Sequence, residues 1–402
     1  MTRSFFRVFA ALVLLSIFSN LAGQWHTART VDFSSESGRV AQALLEGRGF
    51  SDPFLTGRSG PTAHVAPLYP YVVAGICMAF GTGAAGWAAI LLLTAAAWAF
   101  QWAYAYRFAA EYGQALPGLI AAVIGVVVPL QGRLFKWEAV LTGAAIAYSA
   151  WALSQVLKGR SGSAALRLGA GLAVTVLVCP SAILVWPAWA VLCVWRLGLS
   201  RGLKTQAPAL ILIVIPLALW TVRNWVTFHR LFFIRDSLGL ELNIAYNDCA
   251  SPLLSGNISS GCFAQQHPSG NPELLATVRR VGEVEFAQEH LRRAKSWIAA
   301  HPAESVKLTL AHIGYFWFPL EASDRKVLAY GILMSIVTVL SIAGLFWKSE
   351  ATVILILTML PFSAVYCLTQ FEQRYRYPIL WASAILAAVG VRLVMCRVRR
   401  AR

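Results

Sequence analysis

The chain has 402 residues, 58% of them hydrophobic and only 13% charged, with a formal net charge of +16. Its mean hydropathy of +0.61 excludes an ordinary soluble domain and reads as an integral membrane protein. The Lys and Arg residues are scattered between apolar segments, which assigns them to topology and anionic headgroups rather than to nucleic acid.

In chain order, the first apolar segment, residues 5–23, carries Arg3 and Arg7 at its start. No small-residue cleavage site follows it, so it reads as a retained anchor. Further crossings are expected at 86–107, 116–129, 139–157, 166–180, 182–194, 207–226, 327–346, 352–369 and 379–395. Residues 68–80 are short of a bilayer span, and 302–320 carry Glu304, Lys307 and His312, so both read as interfacial or re-entrant helices. With neither crossing, the basic clusters at Arg3/Arg7, Lys158/Arg160, Arg196/Arg201 and Arg397/Arg399 all face the cytoplasm, as the positive-inside rule asks.

The expected fold is therefore an all-α polytopic helix bundle of about ten crossings, with both termini cytoplasmic. It divides into an N-terminal transmembrane module at 1–226 with an outer loop at 24–85, an extracytoplasmic loop and helical region at 227–326, and C-terminal transmembrane helices at 327–402.

Within the first outer loop, Ser34 and Ser35 can cap a helix, Glu36 falls in its first turn, and Gly47 can end it. Val40, Ala41, Leu44 and Leu45 share one face, which predicts a short amphipathic helix on the membrane surface. Asp32 or Glu36 then stands at the boundary where a membrane substrate would meet water. The plainer alternative is a solvated loop in which Glu36 answers the helix dipole. A second outer acid, Glu138 in LFKWEAV, follows the third crossing at the start of the fourth and is read either as chemistry or as a first-turn acid.

Near the C-terminus, Arg374 and Arg376 flank Tyr375 in QFEQRYRYPIL. That pattern suits a planar, bidentate phosphate clamp as well as an interfacial belt. Arg223 with Asn224 is a weaker pair of the same kind. His26, His64, His301 and His312 are dispersed and no HExxH occurs, so no metal site is indicated, although a divalent cation stays open. Cys249 and Cys262 lie in the large polar region and suit a disulfide if it faces an oxidising compartment. Asn257-Ile258-Ser259 matches a glycosylation sequon. Neither GxxxxGK[ST] nor GxGxxG is present, so a nucleotide-linked substrate is not expected.

Several stretches together carry a resemblance: ESGRVAQALLEGRGFSDPF, GPTAHVAPLYPYVVAG, KWEAVL, WTVRNWVTFHRLFFIRDSLGLELNIAYN, SWIAAHPAESVKL and RYRYPIL. In this order the chain resembles membrane glycosyltransferases of the GT-C class, nearest to the protein O-mannosyltransferase and lipid A aminoarabinose transferase group (glycosyltransferase family 39-like proteins). The resemblance implies transfer of a sugar from a polyprenyl-phosphate-linked donor to a cell-envelope acceptor (lipid, glycan or protein), with inversion, on the extracytoplasmic face of a bacterial inner membrane.

It also implies a catalytic or acceptor-orienting acid in the first outer loop, usually followed by Tyr and a short helix. Glu36 takes that place, but Ser37 stands where Tyr is common, and Asp32 lies close to a frequent upstream Asp; the choice between them stays open. A second outer acid of the family matches Glu138. Arg374 and Arg376 would steady the departing lipid phosphate, and Tyr69, Trp137, Tyr315, Trp317 and Tyr375 would line the sugar and lipid paths. The competing readings are a transporter or flippase of a lipid-linked glycan, which asks for ionisable groups deep in the crossings, and a non-catalytic subunit of an envelope-glycan assembly.

Overall fold

The computed structural model describes residues 3–24, 29–128, 138–160, 163–321 and 324–401. All-α architecture is what it shows. Among the described residues, six helical segments are long and apolar enough to cross a bilayer: Ala84–Glu111, Ala139–Leu157, Pro180–Leu197, Leu199–Phe228, Arg325–Gly344 and Gln373–Arg400. Shorter apolar helices stand at the other expected crossings, so each of the ten positions read from the sequence carries a helix.

The N-terminal module begins with α1 (Arg3–Gln24), followed by α2 (Glu36–Leu45), α3 (Leu68–Phe80), α4 (Ala84–Glu111), α5 (Ala115–Val127) and α6 (Ala139–Leu157). It continues through α7 (Ala164–Val178), α8 (Val185–Leu197) and the long α9 (Leu199–Phe228). Small residues set the approach of these helices. A Cβ on Gly143 of α6 would lie 2.0 Å from Gln101 Oε1 of α4 and 3.1 Å from Pro378 Cα, so no side chain fits there. Trp98, Trp102, Phe108 and Trp189 fill the interior that remains, each at most 1% exposed.

The polar region folds as short helices: α10 (Leu238–Ala245), α11 (Leu254–Ser259), α12 (Cys262–Gln266), α13 (Pro272–Val281), α14 (Glu283–Ala300) and α15 (Pro302–Trp317). Cys249 and Cys262 are joined in a disulfide. The sequon asparagine is not a glycan acceptor here. Asn257 is 0% exposed, and its amide binds Ser251 and the Gln370 side chain.

The chain closes with α16 (Arg325–Gly344), α17 (Glu350–Tyr366) and α18 (Tyr377–Ala401). Gly390 of α18 lies against α16, where an added Cβ would be 2.7 Å from Gly344 N and Leu340 O. The Leu254 N–H donates to Phe371 O at 3.1 Å and the Phe371 N–H to Pro252 O at 2.8 Å. These two bonds tie the polar region to the α17–α18 connection.

Candidate active site

The stretch between α1 and α4 supplies the carboxylate. Ser35 caps α2, its hydroxyl accepting the Gly38 N–H at 3.1 Å, and Glu36 follows as the first helical residue. The predicted apolar face is real: Val40 and Ala41 are fully buried, and Ala41 packs on Tyr69, Val73 and Ala74 of α3. Docked in this way, α2 brings Glu36 at its N-terminus to a recess formed with the segments of His64 and His267. Asp32 is not brought to that recess. It is exposed, and its Oδ1 accepts the Ser34 N–H at 2.7 Å, shaping the turn into α2.

Two imidazoles converge on Glu36. Its Oε1 lies 3.2 Å from His64 Nε2 and 3.3 Å from His267 Nε2, and both rings are buried. Burial opposes the Glu36 charge, but His64 and hydrogen bonds from both rings hold the carboxyl well below its usual range. Burial likewise opposes a charged His64, and the Glu36 carboxylate outweighs it, raising the ring to about 9. His267 Nδ1 accepts the Ser269 N–H at 3.0 Å, so in the neutral ring Nε2 carries the hydrogen and faces Glu36. The three donor atoms lie within 4.8 Å of one another, a Glu/His/His set of the kind a zinc-like cation takes with a fourth position left open. A cation at the His267 Nε2 would take the place of that hydrogen.

The segment carrying His64 is gripped from behind. Glu283, at the start of α14, accepts from Thr62 Oγ1 and from the Ala63 N–H, both at 2.6 Å. Arg223 Nη1 donates to Thr62 O at 2.8 Å, and Arg235 Nε to His64 O at 2.7 Å. Asp236 sits beside Glu283, with its carboxylate buried. Burial and the Asp236 charge push Glu283 up to about 8.

A second carboxylate closes the recess. Glu138 is 4% exposed; its Oε1 accepts from Ser37 Oγ at 3.3 Å, and its Oε2 meets no hydrogen-bond partner among the described residues. Burial raises its pKa, against the opposing pull of its own backbone and of Arg235 and Arg374. Those two guanidiniums lie within electrostatic reach of both acids, whose charges act on each of them.

Arg374 is paired to Glu372 at 2.5 Å and leaves about a third of its side chain open (32%). Beside it, Tyr375 stacks on Tyr366 at 4.6 Å, and the Tyr366 hydroxyl meets Ser181 Oγ at 3.1 Å and Cys179 Sγ at 3.2 Å.

The other expected cations lie elsewhere. Arg376 is 0% exposed, its guanidinium donating to Trp317 O at 2.6 Å, Phe316 O at 3.3 Å and Thr338 Oγ1 at 2.5 Å. Arg223 holds Thr62 O and Phe50 O and lies over the Phe50 and Trp220 rings. Tyr69 is buried beneath α2, and Trp317 lies under the Arg376 guanidinium. His26, Lys136 and Trp137 fall outside the described residues.

Sequence reasoning missed His267 and Glu283. His267 sits among Gln, His and Pro with no ligand spacing, and Glu283 after Gly282 reads as a first-turn acid, so nothing local marks either one.

No family model matches the chain, and no curated protein matches it. Its structure is similar to that of the archaeal oligosaccharyltransferase AglB from Archaeoglobus fulgidus in complex with an inhibitory peptide and a dolichol-phosphate. The identity is 13% over 99% of this chain and 51% of that one, with a TM-score of 0.55. The crystal structure of the Archaeoglobus fulgidus oligosaccharyltransferase in the apo form is similar at 14% identity and the same coverage, with a TM-score of 0.46. The chain thus spans about half the length of these proteins. At such identities the likeness is one of architecture, and that architecture is the GT-C fold of membrane glycosyltransferases.

Proposed function

We propose that the chain is a GT-C glycosyltransferase that moves a sugar from a polyprenyl-phosphate-linked donor to a cell-envelope acceptor. The observation that carries this reading is the grouping, on the GT-C fold, of Glu36 and Glu138, joined through Ser37, within electrostatic reach of Arg235 and Arg374.

Environment assigns the acids different roles. Glu138, buried and with a raised pKa, is the better proton acceptor; Glu36, held ionised by two imidazoles, orients and neutralises. Glu138 takes the proton of the acceptor hydroxyl or amine as that atom attacks the anomeric carbon. The carbon–oxygen bond to phosphate breaks on the opposite face, and the leaving lipid phosphate is stabilised by Arg374 and Arg235. A cation held by Glu36, His64 and His267 would add positive charge beside the same phosphate.

The dolichol-phosphate bound by AglB supports a lipid-phosphate donor. The Cys249–Cys262 disulfide supports an active site on the extracytoplasmic face of a bacterial inner membrane. The glycosyltransferase family 39-like group remains our reading of the nearer kinship.

The experiment is native mass spectrometry of the purified protein against a panel of polyprenyl-phosphate sugars, followed by transfer assays with the donor that binds. A donor that binds and is consumed, with consumption lost in Glu138→Gln, supports the enzyme. A donor that binds in wild type and is only translocated across liposomes favours the flippase. Absence of any binding beyond that of ordinary anionic lipid favours the non-catalytic subunit.

A further inference from the structure

Along the length of α18, helices α5 and α16 both pack on it but hardly on one another. They leave a lateral cavity of about 840 Å³ whose walls include Trp102, Leu116, Ile120, Leu340, Leu380 and Met395. Its lining is apolar apart from Arg392 and Arg399, which lie seven residues apart on one face of α18. Leu116 is 68% exposed, Ile120 47% and Met395 51%, so the cleft opens sideways, toward lipid in a chain of this kind. Arg392 is held at the mouth by a 2.8 Å hydrogen bond from Nη1 to Gln114 Oε1, which leaves its other N–H groups for a ligand.

We propose that this cleft holds an anionic glycerophospholipid, with acyl chains along the apolar walls and its phosphate at Arg392 and Arg399. Basic pockets between transmembrane helices select such headgroups, and the charge here stands only at the end where a headgroup belongs.

The length of α18 separates this occupant from the transferase donor. The helix runs unbroken from Tyr377 to Ala401. At ~1.5 Å per residue, Arg392 lies ~24 Å and Arg399 ~35 Å along it from Arg376. A lipid whose phosphate reacts beside Arg374 cannot place that phosphate at Arg392. A phosphate seated at Arg392 and Arg399 is therefore that of a resident lipid and not that of the reacting donor.

The test is native mass spectrometry of the full chain from mild detergent. It is offered phosphatidylglycerol, cardiolipin, phosphatidylethanolamine and undecaprenyl phosphate with matched total lipid. Wild type is compared with the pair Arg392→Ala, Arg399→Ala and with a control pair, Arg397→Ala, Arg400→Ala, taken from the same helix end outside the cleft. Wild type and control should prefer the anionic glycerophospholipids over phosphatidylethanolamine by about thirtyfold, a preference the cleft pair loses. Equal loss in the control pair would reduce the effect to net charge and overturn the site. So would an absent preference in wild type, or displacement of the bound lipid by undecaprenyl phosphate.

Discussion

Arg374 and Arg376 are separated by one residue and lie in opposite environments. Arg374 is paired to Glu372 and opens on the recess, whereas Arg376 is sealed in the bundle against the Phe316 and Trp317 carbonyls and the Thr338 hydroxyl. The first is placed to meet a ligand and the second to hold α15, α16 and α18 together.

Their alanine variants should therefore fail differently. Arg374→Ala should weaken binding of a lipid phosphate about ten- to a hundredfold, the worth of one charge-assisted hydrogen bond, with the melting temperature in detergent unchanged. Arg376→Ala should cost about 3 kcal/mol of stability by stranding buried carbonyls, and should show as poor yield and a lowered melting temperature. Equal loss of ligand binding in two equally stable variants would restore the two-arginine clamp.

The two acids of the recess are separable by kinetics. Glu138→Gln should lower kcat about a hundredfold or more with little change in KM, because it removes the proton acceptor and keeps the shape. Asp32→Asn should be near wild type, since Asp32 is exposed and shapes the turn before α2. An Asp32 variant as damaged as the Glu138 variant would move the base to Asp32.

Protonation of the second layer fixes the sign of a pH effect. Glu283 stands at about 8 in the folded protein against an ordinary 4.5, and His64 at about 9 against 6.5. In both windows the native state binds more protons than the unfolded one, so stability must fall as pH rises from about 5 toward 9. Glu283→Gln should remove its own share, spread over about pH 4.5 to 8, and leave the His64 share between about 6.5 and 9. Melting temperatures in detergent across that range decide it; a parallel slope in the variant would remove Glu283 from the account.

Cation binding is open to direct measurement. Zinc should bind at Glu36, His64 and His267, and should release protons, because ring nitrogens that now face Glu36 with hydrogen must give it up. Affinity should therefore rise from pH 6.5 to 8.5, and Glu36→Gln should abolish it. Calorimetry in two buffers of different ionisation heat reads both; unchanged affinity in the variant would place zinc elsewhere.

Much of the architecture is legible in the sequence because apolar length and charge placement are local signals. The cap at Ser35, the buried face of α2 and the positions of the apolar helices follow from them directly. The recess is less legible because its partners are distant. Glu36, His64 and His267 lie on three separate stretches and meet only through folding, and Glu283 grips a segment 220 residues away from it in sequence. Arg376 shows the limit most plainly: the motif around Arg374 and Arg376 is symmetrical as text, and only packing decides which guanidinium reaches a ligand.

The bridge between Leu253 and Phe371 has a bearing on how the protein is made. During synthesis, the loop bearing Glu36 and the acids at 138 and 283 emerge long before residue 371, so each must wait without the wall that completes the pocket. The recess becomes whole only when the last two helices insert and Phe371 clasps the outer region. A nascent chain halted shortly before that point would hold nearly every acidic residue of the centre and no working centre at all. Completion of the site is thereby left to the last step of membrane insertion.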